Sequence, residues 1–261
     1  MDYPLRISYI QADIVWEDIE TNLQHREQEI GQLAGKTDLV VLPEMFTTGF
    51  SMNVERFDEQ TTSYTVETIQ RWSDTFQVAI AGSFIACEEE KYFNRGFFAV
   101  PQLPIQFYDK KHLFRLGQEG ALFTPGNRRT IVHYKGWNIA LFVCYDLRFP
   151  VWMRNRDNEY DLLLVVANWP QSRSFAWSQL LTARAIENSC YVCGVNRIGE
   201  DIFQTPHSGD SVLLDMKGHP LSSARSGTKE IITSTISLTD LESYRQKFPF
   251  WKDGDKFSLL P

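Results

Sequence analysis

The chain has 261 residues, of which 43% are hydrophobic and 23% charged, the make-up of a soluble globular protein long enough to bury its own core. Its 26 basic residues fall short of its 33 acidic ones, giving a net charge of −7. Such a surface repels phosphate backbones and anionic lipid, so neither nucleic acid nor a membrane is expected as a partner, and a site for an anion would have to supply its own positive charge.

The opening segment MDYPLRISYI lacks the basic and apolar regions of a signal peptide. The apolar runs at 139–145 and 162–168 fall well short of the roughly 20 residues that span a bilayer. The expected compartment is the cytoplasm, where the four cysteines stay reduced. No linker or low-complexity tract divides the sequence, so residues 1–261 read as one domain.

Residues 5–11 read as a first strand. Ile19, Leu23, Ile30 and Leu33, at helical spacing, predict a helix over 17–34 with Asp18 as an early-turn acid. DLVVL at 38–42 is a buried strand ended by Pro43. A second helix follows at 61–76 and a strand at 78–86. Residues 94–100 and 105–109 form a strand pair joined around Pro101 and Pro104. WNIALFVC (137–144) and DLLLVVA (161–167) are two more buried strands. A helix at 175–188 leads to a strand at 191–196, and strands at 212–215 and 230–237 complete the set. Apolar strands alternating with helices imply an α/β fold. Glu44, Lys110, Cys144 and Asn168 each lie just beyond the carboxyl end of a predicted strand, where α/β sheets bind ligands, so the four are expected to converge.

Cys144 closes an apolar strand and precedes YDLRFP. A thiol at such a turn serves either as a nucleophile or as a small buried hydrophobe. Cys190 and Cys193 form C-x-x-C, but residues three apart on a strand point to opposite faces and no second pair exists for zinc, so they read as core. Cys87 reads as an inert strand-end residue. A cysteine nucleophile needs a base, and none of His25, His112, His133, His207 and His219 carries a local signature pairing it with Cys144. Glu44 competes for that role, because a carboxylate at a strand end between Phe46 and Phe50 is partly desolvated, as a proton shuttle requires. A lysine in FYDKKHLF could stabilise an oxyanion, and chemistry alone does not choose between Lys110 and Lys111. GQLAGKT is one residue short of a phosphate loop and follows a helix instead of a strand, and no H-E-x-x-H or G-x-S-x-G occurs, so no metal is indicated.

The segments PEMFTTGF, YDKKHLF, FVCYDLRFP and VVANWPQSRSFAWSQLLTARAIEN, in that order, resemble the signature blocks of the nitrilase (carbon–nitrogen hydrolase) superfamily, and the last resembles its omega-amidase branch. The resemblance implies a four-layer α-β-β-α sandwich. It implies Glu44 as general base, Lys110 as catalytic lysine, Cys144 as nucleophile, and Glu119 as a second glutamate orienting the lysine. The backbone N–H of Tyr145 would complete the oxyanion site, and His112 becomes scaffold. The implied activity is hydrolysis of the terminal amide of 2-oxo acids such as 2-oxoglutaramate and 2-oxosuccinamate, without cofactor or metal, in a homodimer or larger homo-oligomer. A carboxylate-bearing substrate calls for a guanidinium. Arg148 is the first choice and Arg173 the second, with Phe46, Asn168 and Trp169 lining the pocket; the alternative for Arg148 is an ion pair with Asp146. A nitrilase or carbamoylase with the same triad, a non-catalytic binding protein on this fold, and a C-x-x-C redox protein are the rival readings.

Overall fold

The computed structural model describes residues 4–258. The chain begins with β1 (Leu5–Gln11), α1 (Ile19–Leu33), β2 (Leu39–Val41), α2 (Glu59–Phe76), β3 (Ala79–Glu88), β4 (Lys91–Val100) and β5 (Leu103–Asp109). A short α3 (Glu119–Leu122) leads into β6 (Ile131–Tyr134), β7 (Trp137–Val143), α4 (Pro150–Met153), β8 (Leu162–Ala167), α5 (Ser174–Asn188) and β9 (Tyr191–Asn196). It closes with β10 (Ile198–Glu200), β11 (Pro206–Ser208), β12 (Val212–Leu214), β13 (Pro220–Ser223), β14 (Glu230–Ile236) and α6 (Leu238–Lys247).

Two six-stranded sheets carry the molecule, in the orders β14-β1-β2-β3-β4-β5 and β13-β12-β9-β8-β7-β6, with β10 and β11 as a separate hairpin. Each has a parallel centre, β1-β2-β3 in the first and β7-β8-β9 in the second, with antiparallel flanks. Strand alternation sorts the side chains of the first sheet. Leu5, Ile7 and Tyr9 of β1 face the second sheet, where they meet Leu141 and Val143 of β7 in one core. Ile10, Val40, Ile80 and Phe97 face outward and are covered by Leu23 and Ile30 of α1 and Ile69 and Trp72 of α2. On the far side Trp177, Leu181 and Ala185 of α5 cover the second sheet. The layers therefore run helix, sheet, sheet, helix.

The elements that the sequence pattern predicts are all present and differ at their ends for local reasons, while α3, α4, β10, β11 and β13, of three or four residues each, are too short to leave a pattern. Asp18 is the N-cap of α1, accepting from the Thr21 N–H at 3.1 Å, so it precedes the helix. α2 starts earlier than its apolar pattern, because Asp58 caps it through the Thr61 N–H at 2.8 Å. Pro104 lies inside β5, which tolerates proline because it is the edge of its sheet. β6 is too short to show a pattern. It is joined to β7 by Lys135 and Gly136, whose positive φ angles of 48° and 83° make the two-residue turn that strand twist favours. α6 buries little besides Leu241 and Arg245, so its apolar stripe is too thin to read.

Candidate active site

β2 and β3 are parallel, and β5 regains that direction through two antiparallel steps, so β2 and β5 end at one edge of the first sheet. β7 and β8 are parallel and end together in the second. Glu44 follows β2, Lys110 follows β5, Cys144 follows β7 and Asn168 follows β8. Stacking the sheets brings the four together.

Lys110 and Glu44 are almost wholly enclosed, and Cys144 is 9% exposed. Lys110 Nζ donates to Glu44 Oε1 at 2.9 Å and to both carboxylate oxygens of Glu119, each at 2.9 Å. Burial opposes the ammonium charge, but the facing carboxylates prevail and raise the Lys110 pKa above its ordinary value. Burial pushes Glu119 up from the usual carboxyl range, yet Lys110, Asn94 and the Phe114 N–H all donate to it, leaving no acceptor for a carboxyl proton. The neighbouring Lys111 points away, its ammonium 5.3 Å from the Trp152 ring centre.

Glu44 accepts from Asn94 Nδ2 at 2.7 Å on Oε1 and from the Asn168 N–H at 2.7 Å on Oε2. Asn168 Nδ2 also holds the Glu44 backbone carbonyl. Burial first, then the Glu44 charge, push the Cys144 thiol well above the ordinary value, against the pull of Lys110. The resting sulfur is therefore a thiol. Cys144 adopts φ 45°, a left-handed conformation that costs a non-glycine residue about 1–3 kcal/mol. This sharp exit from β7 turns the sulfur toward the strand ends instead of into the sheet.

Asp146 fastens the two halves together. Its carboxylate accepts from Tyr108 Oη at 2.7 Å, from the His112 N–H at 2.9 Å and from the Val143 N–H at 3.2 Å. The His112 ring lies 2.8 Å from the same carboxylate and stacks on Phe149. Residues flanking Lys110 are thus tied to residues flanking Cys144, and Asp146 is not the partner of Arg148.

Cys144 opens into a pocket of about 280 Å³ lined by Tyr145, Arg148, Asn168, Trp169 and Arg173 among others. Arg148 lies over the Trp169 ring at 5.0 Å and Arg173 over Phe114 at 5.3 Å, and neither has a carboxylate partner among the described residues. Phe46 does not line the pocket. It is fully buried on the helix side of the first sheet against Trp72 and Phe97, because the tight turn at Met45 (φ 44°) aims it outward. Phe50, farther along the loop, lines the pocket instead. Of the five histidines only His207 lines it, and burial lowers its pKa to about 4, so its ring is neutral near pH 7. Cys87, Cys190 and Cys193 are free and buried, and burial raises all three thiols above their usual range.

Asn94, Ser83 and Asp146 were not singled out as site residues by sequence reading. A usable signal exists for the first two: Asn94 alternates with core-facing Phe98, and Ser83 with Ala81, so each is a polar residue in a core register.

The sequence profile described as carbon-nitrogen hydrolase matches residues 6–246. The omega-amidase YafV of Escherichia coli K12 is 41% identical, with 98% of each chain covered. The 2-oxoglutaramate amidase of Bacillus subtilis is 29% identical, covering 95% of this chain and 96% of that protein. The solved structure of XC1258 from Xanthomonas campestris, a CN-hydrolase superfamily protein with an arsenic adduct in its active site, superposes with a TM-score of 0.95 at 42% identity, covering 98% and 99% of the two chains.

Proposed function

The chain belongs to the carbon–nitrogen hydrolase family, and from that premise we propose an omega-amidase that converts 2-oxoglutaramate or 2-oxosuccinamate to the dicarboxylic 2-oxo acid and ammonia. The observation that carries the mechanism is the buried Glu44–Lys110–Glu119–Cys144 cluster opening on a pocket with unpaired arginines. Glu44 takes the thiol proton as Cys144 Sγ attacks the amide carbon. Lys110 and the Tyr145 N–H stabilise the resulting oxyanion, and each such donor is worth about 10²–10³ in rate. Lys110 makes two bonds to Glu119 and one to Glu44, so it can turn one N–H to the oxyanion and stay anchored. Glu44 returns the proton to the departing nitrogen, releasing ammonia and leaving a thioester. Glu44 then deprotonates water, which splits the thioester, and the proton returns to sulfur.

Arg148 or Arg173 holds the substrate carboxylate, with Asn168 and Trp169 forming the wall beside it. The reading extends to a cytoplasmic homodimer. Four free cysteines suit a reducing compartment, and exposed Phe175 and Ile186, three helical turns apart on α5, offer an apolar face to a second copy. Sedimentation equilibrium reports the assembly. The decisive experiment is ammonia release from 2-oxoglutaramate. Wild type is expected to release it and Cys144→Ala to lose at least about 10³-fold in rate; equal rates would sink the mechanism.

A further inference from the structure

Asn94 touches both buried carboxylates without belonging to the reacting set. It lies on β4, fully buried, and Nδ2 donates to Glu44 Oε1 at 2.7 Å and to Glu119 Oε1 at 3.0 Å. Its Oδ1 accepts from Ser83 Oγ at 3.0 Å, and Ser83 Oγ accepts from the Met45 N–H at 3.0 Å. A backbone N–H can only donate, so the single hydroxyl proton of Ser83 is free to go to Asn94. This chain, beginning one residue after Glu44, fixes which end of the Asn94 amide faces the carboxylates.

The donors can then be counted atom by atom. Glu44 Oε1 receives Lys110 Nζ and Asn94 Nδ2. Glu119 Oε1 receives the same two groups. Glu119 Oε2 receives Lys110 Nζ and the Phe114 N–H. Glu44 Oε2 alone receives a single donor among the described residues, the Asn168 N–H. A carboxylate oxygen that already accepts two hydrogen bonds has no lone pair left for a proton.

We infer that Asn94, oriented by Ser83, is a positioning residue that confines the proton shuttled during hydrolysis to Glu44 Oε2. The inference rests on the amidase reading above. In the first step the Sγ–H bond breaks, an O–H bond forms at Oε2, and the electron pair left on sulfur makes the bond to the carbonyl carbon. The same proton leaves with the nitrogen. If Asn94 were reversed, an acceptor would face Oε1 and Glu119, and the proton could settle there instead of on Oε2.

The test uses Asn94→Asp and Ser83→Ala, each measured for kcat and KM with 2-oxoglutaramate across pH and for the pH dependence of Cys144 alkylation by iodoacetamide. The carboxyl introduced by Asn94→Asp donates only while protonated. Its kcat is expected to fall about tenfold or more at neutral pH and to recover as pH is lowered, with KM changed by less than about twofold. The alkylation profile moves to higher pH, because the added carboxylate disfavours the thiolate. Ser83→Ala frees the amide to reverse and lowers kcat without recovery in acid. Loss in Asn94→Asp with an unshifted pH profile would mean a merely structural role and overturn the inference, as would wild-type kcat in Ser83→Ala. If the wild type releases no ammonia from 2-oxoglutaramate, the substrate reading fails, while the alkylation profiles still decide the role of Asn94.

Discussion

Arg148 and Arg173 reach the same pocket from different segments, one from the turn after Cys144 and one from the loop before α5. Both are exposed and each lies over an aromatic face, which holds a planar guanidinium ready for a carboxylate without neutralising it. A charge-assisted hydrogen bond of this kind contributes about 1.5–3 kcal/mol. Arg148, nearer in sequence to the nucleophile, is expected to matter more. Arg148→Ala should raise KM for 2-oxoglutaramate about 10- to 100-fold and leave KM for a neutral amide such as propionamide unchanged, as steady-state kinetics on the two substrates would report. An equal rise for both would move the carboxylate contact elsewhere. The fate of the two phenylalanines in PEMFTTGF shows what a short motif leaves open. Alternation along a loop does not say which ring faces the pocket, and the left-handed turn at Met45 sends Phe46 into the helix-side core while Phe50 reaches the pocket.

Among the elements, β5 and the segment around Gly126 matter most to the site. The Gly126 N–H donates to the Lys110 carbonyl at 3.0 Å, and a Cβ on Gly126 would lie 2.0 Å from the Asp109 carbonyl oxygen. The clash is with backbone, so it cannot be relieved by a rotamer change. Gly126→Ala should displace the end of β5 and cut kcat by about 10²-fold, the cost of misplacing a catalytic group by about 1 Å. Asp58→Ala makes the contrasting case. It removes the N-cap of α2, outside the pocket lining, and should cost about 1 kcal/mol of stability with kcat unchanged. Thermal melts and turnover of the two variants separate the effects. Most of these elements were legible because strand and helix periods are local. α3, α4, β6, β10, β11 and β13 were not, being only three or four residues long, nor was α6, too polar to leave a pattern.

At the scale of the molecule, buried titrating groups join the parts of the fold and set its acid limit. Asp38 precedes β2 of the first sheet, where Arg6 binds it at 3.0 Å, and is also held by Lys135 from the turn of the second. Burial works against its ionisation, but these partners outweigh it and lower its pKa from 3.8 to about 2. A depressed carboxyl stabilises the fold above its unfolded value, so this contribution is lost as pH falls from 3.8 towards 2. His207 acts at higher pH than Asp38. Its pKa drops from 6.5 to about 4 through burial and the nearby Arg197, so the unfolded chain takes the proton while the native ring stays neutral. Stability is therefore expected to fall, by on the order of 3 kcal/mol, between pH 6.5 and 4, and again below that. Urea titrations of wild type and His207→Gln at several pH values would check it, the variant lacking the first decline. By itself the sequence determined the alternation of strands and helices and put Glu44, Lys110, Cys144 and Asn168 at strand ends, because a strand and the residue that follows it are set by neighbours in the chain. The tertiary structure alone decided which side chains meet them. Asn94 reaches Glu44 across 50 positions of sequence, and Asp146 joins the lysine segment to the cysteine turn across 34. No local pattern encodes those distances; they exist only once the two sheets have stacked and buried the polar groups that must then find partners.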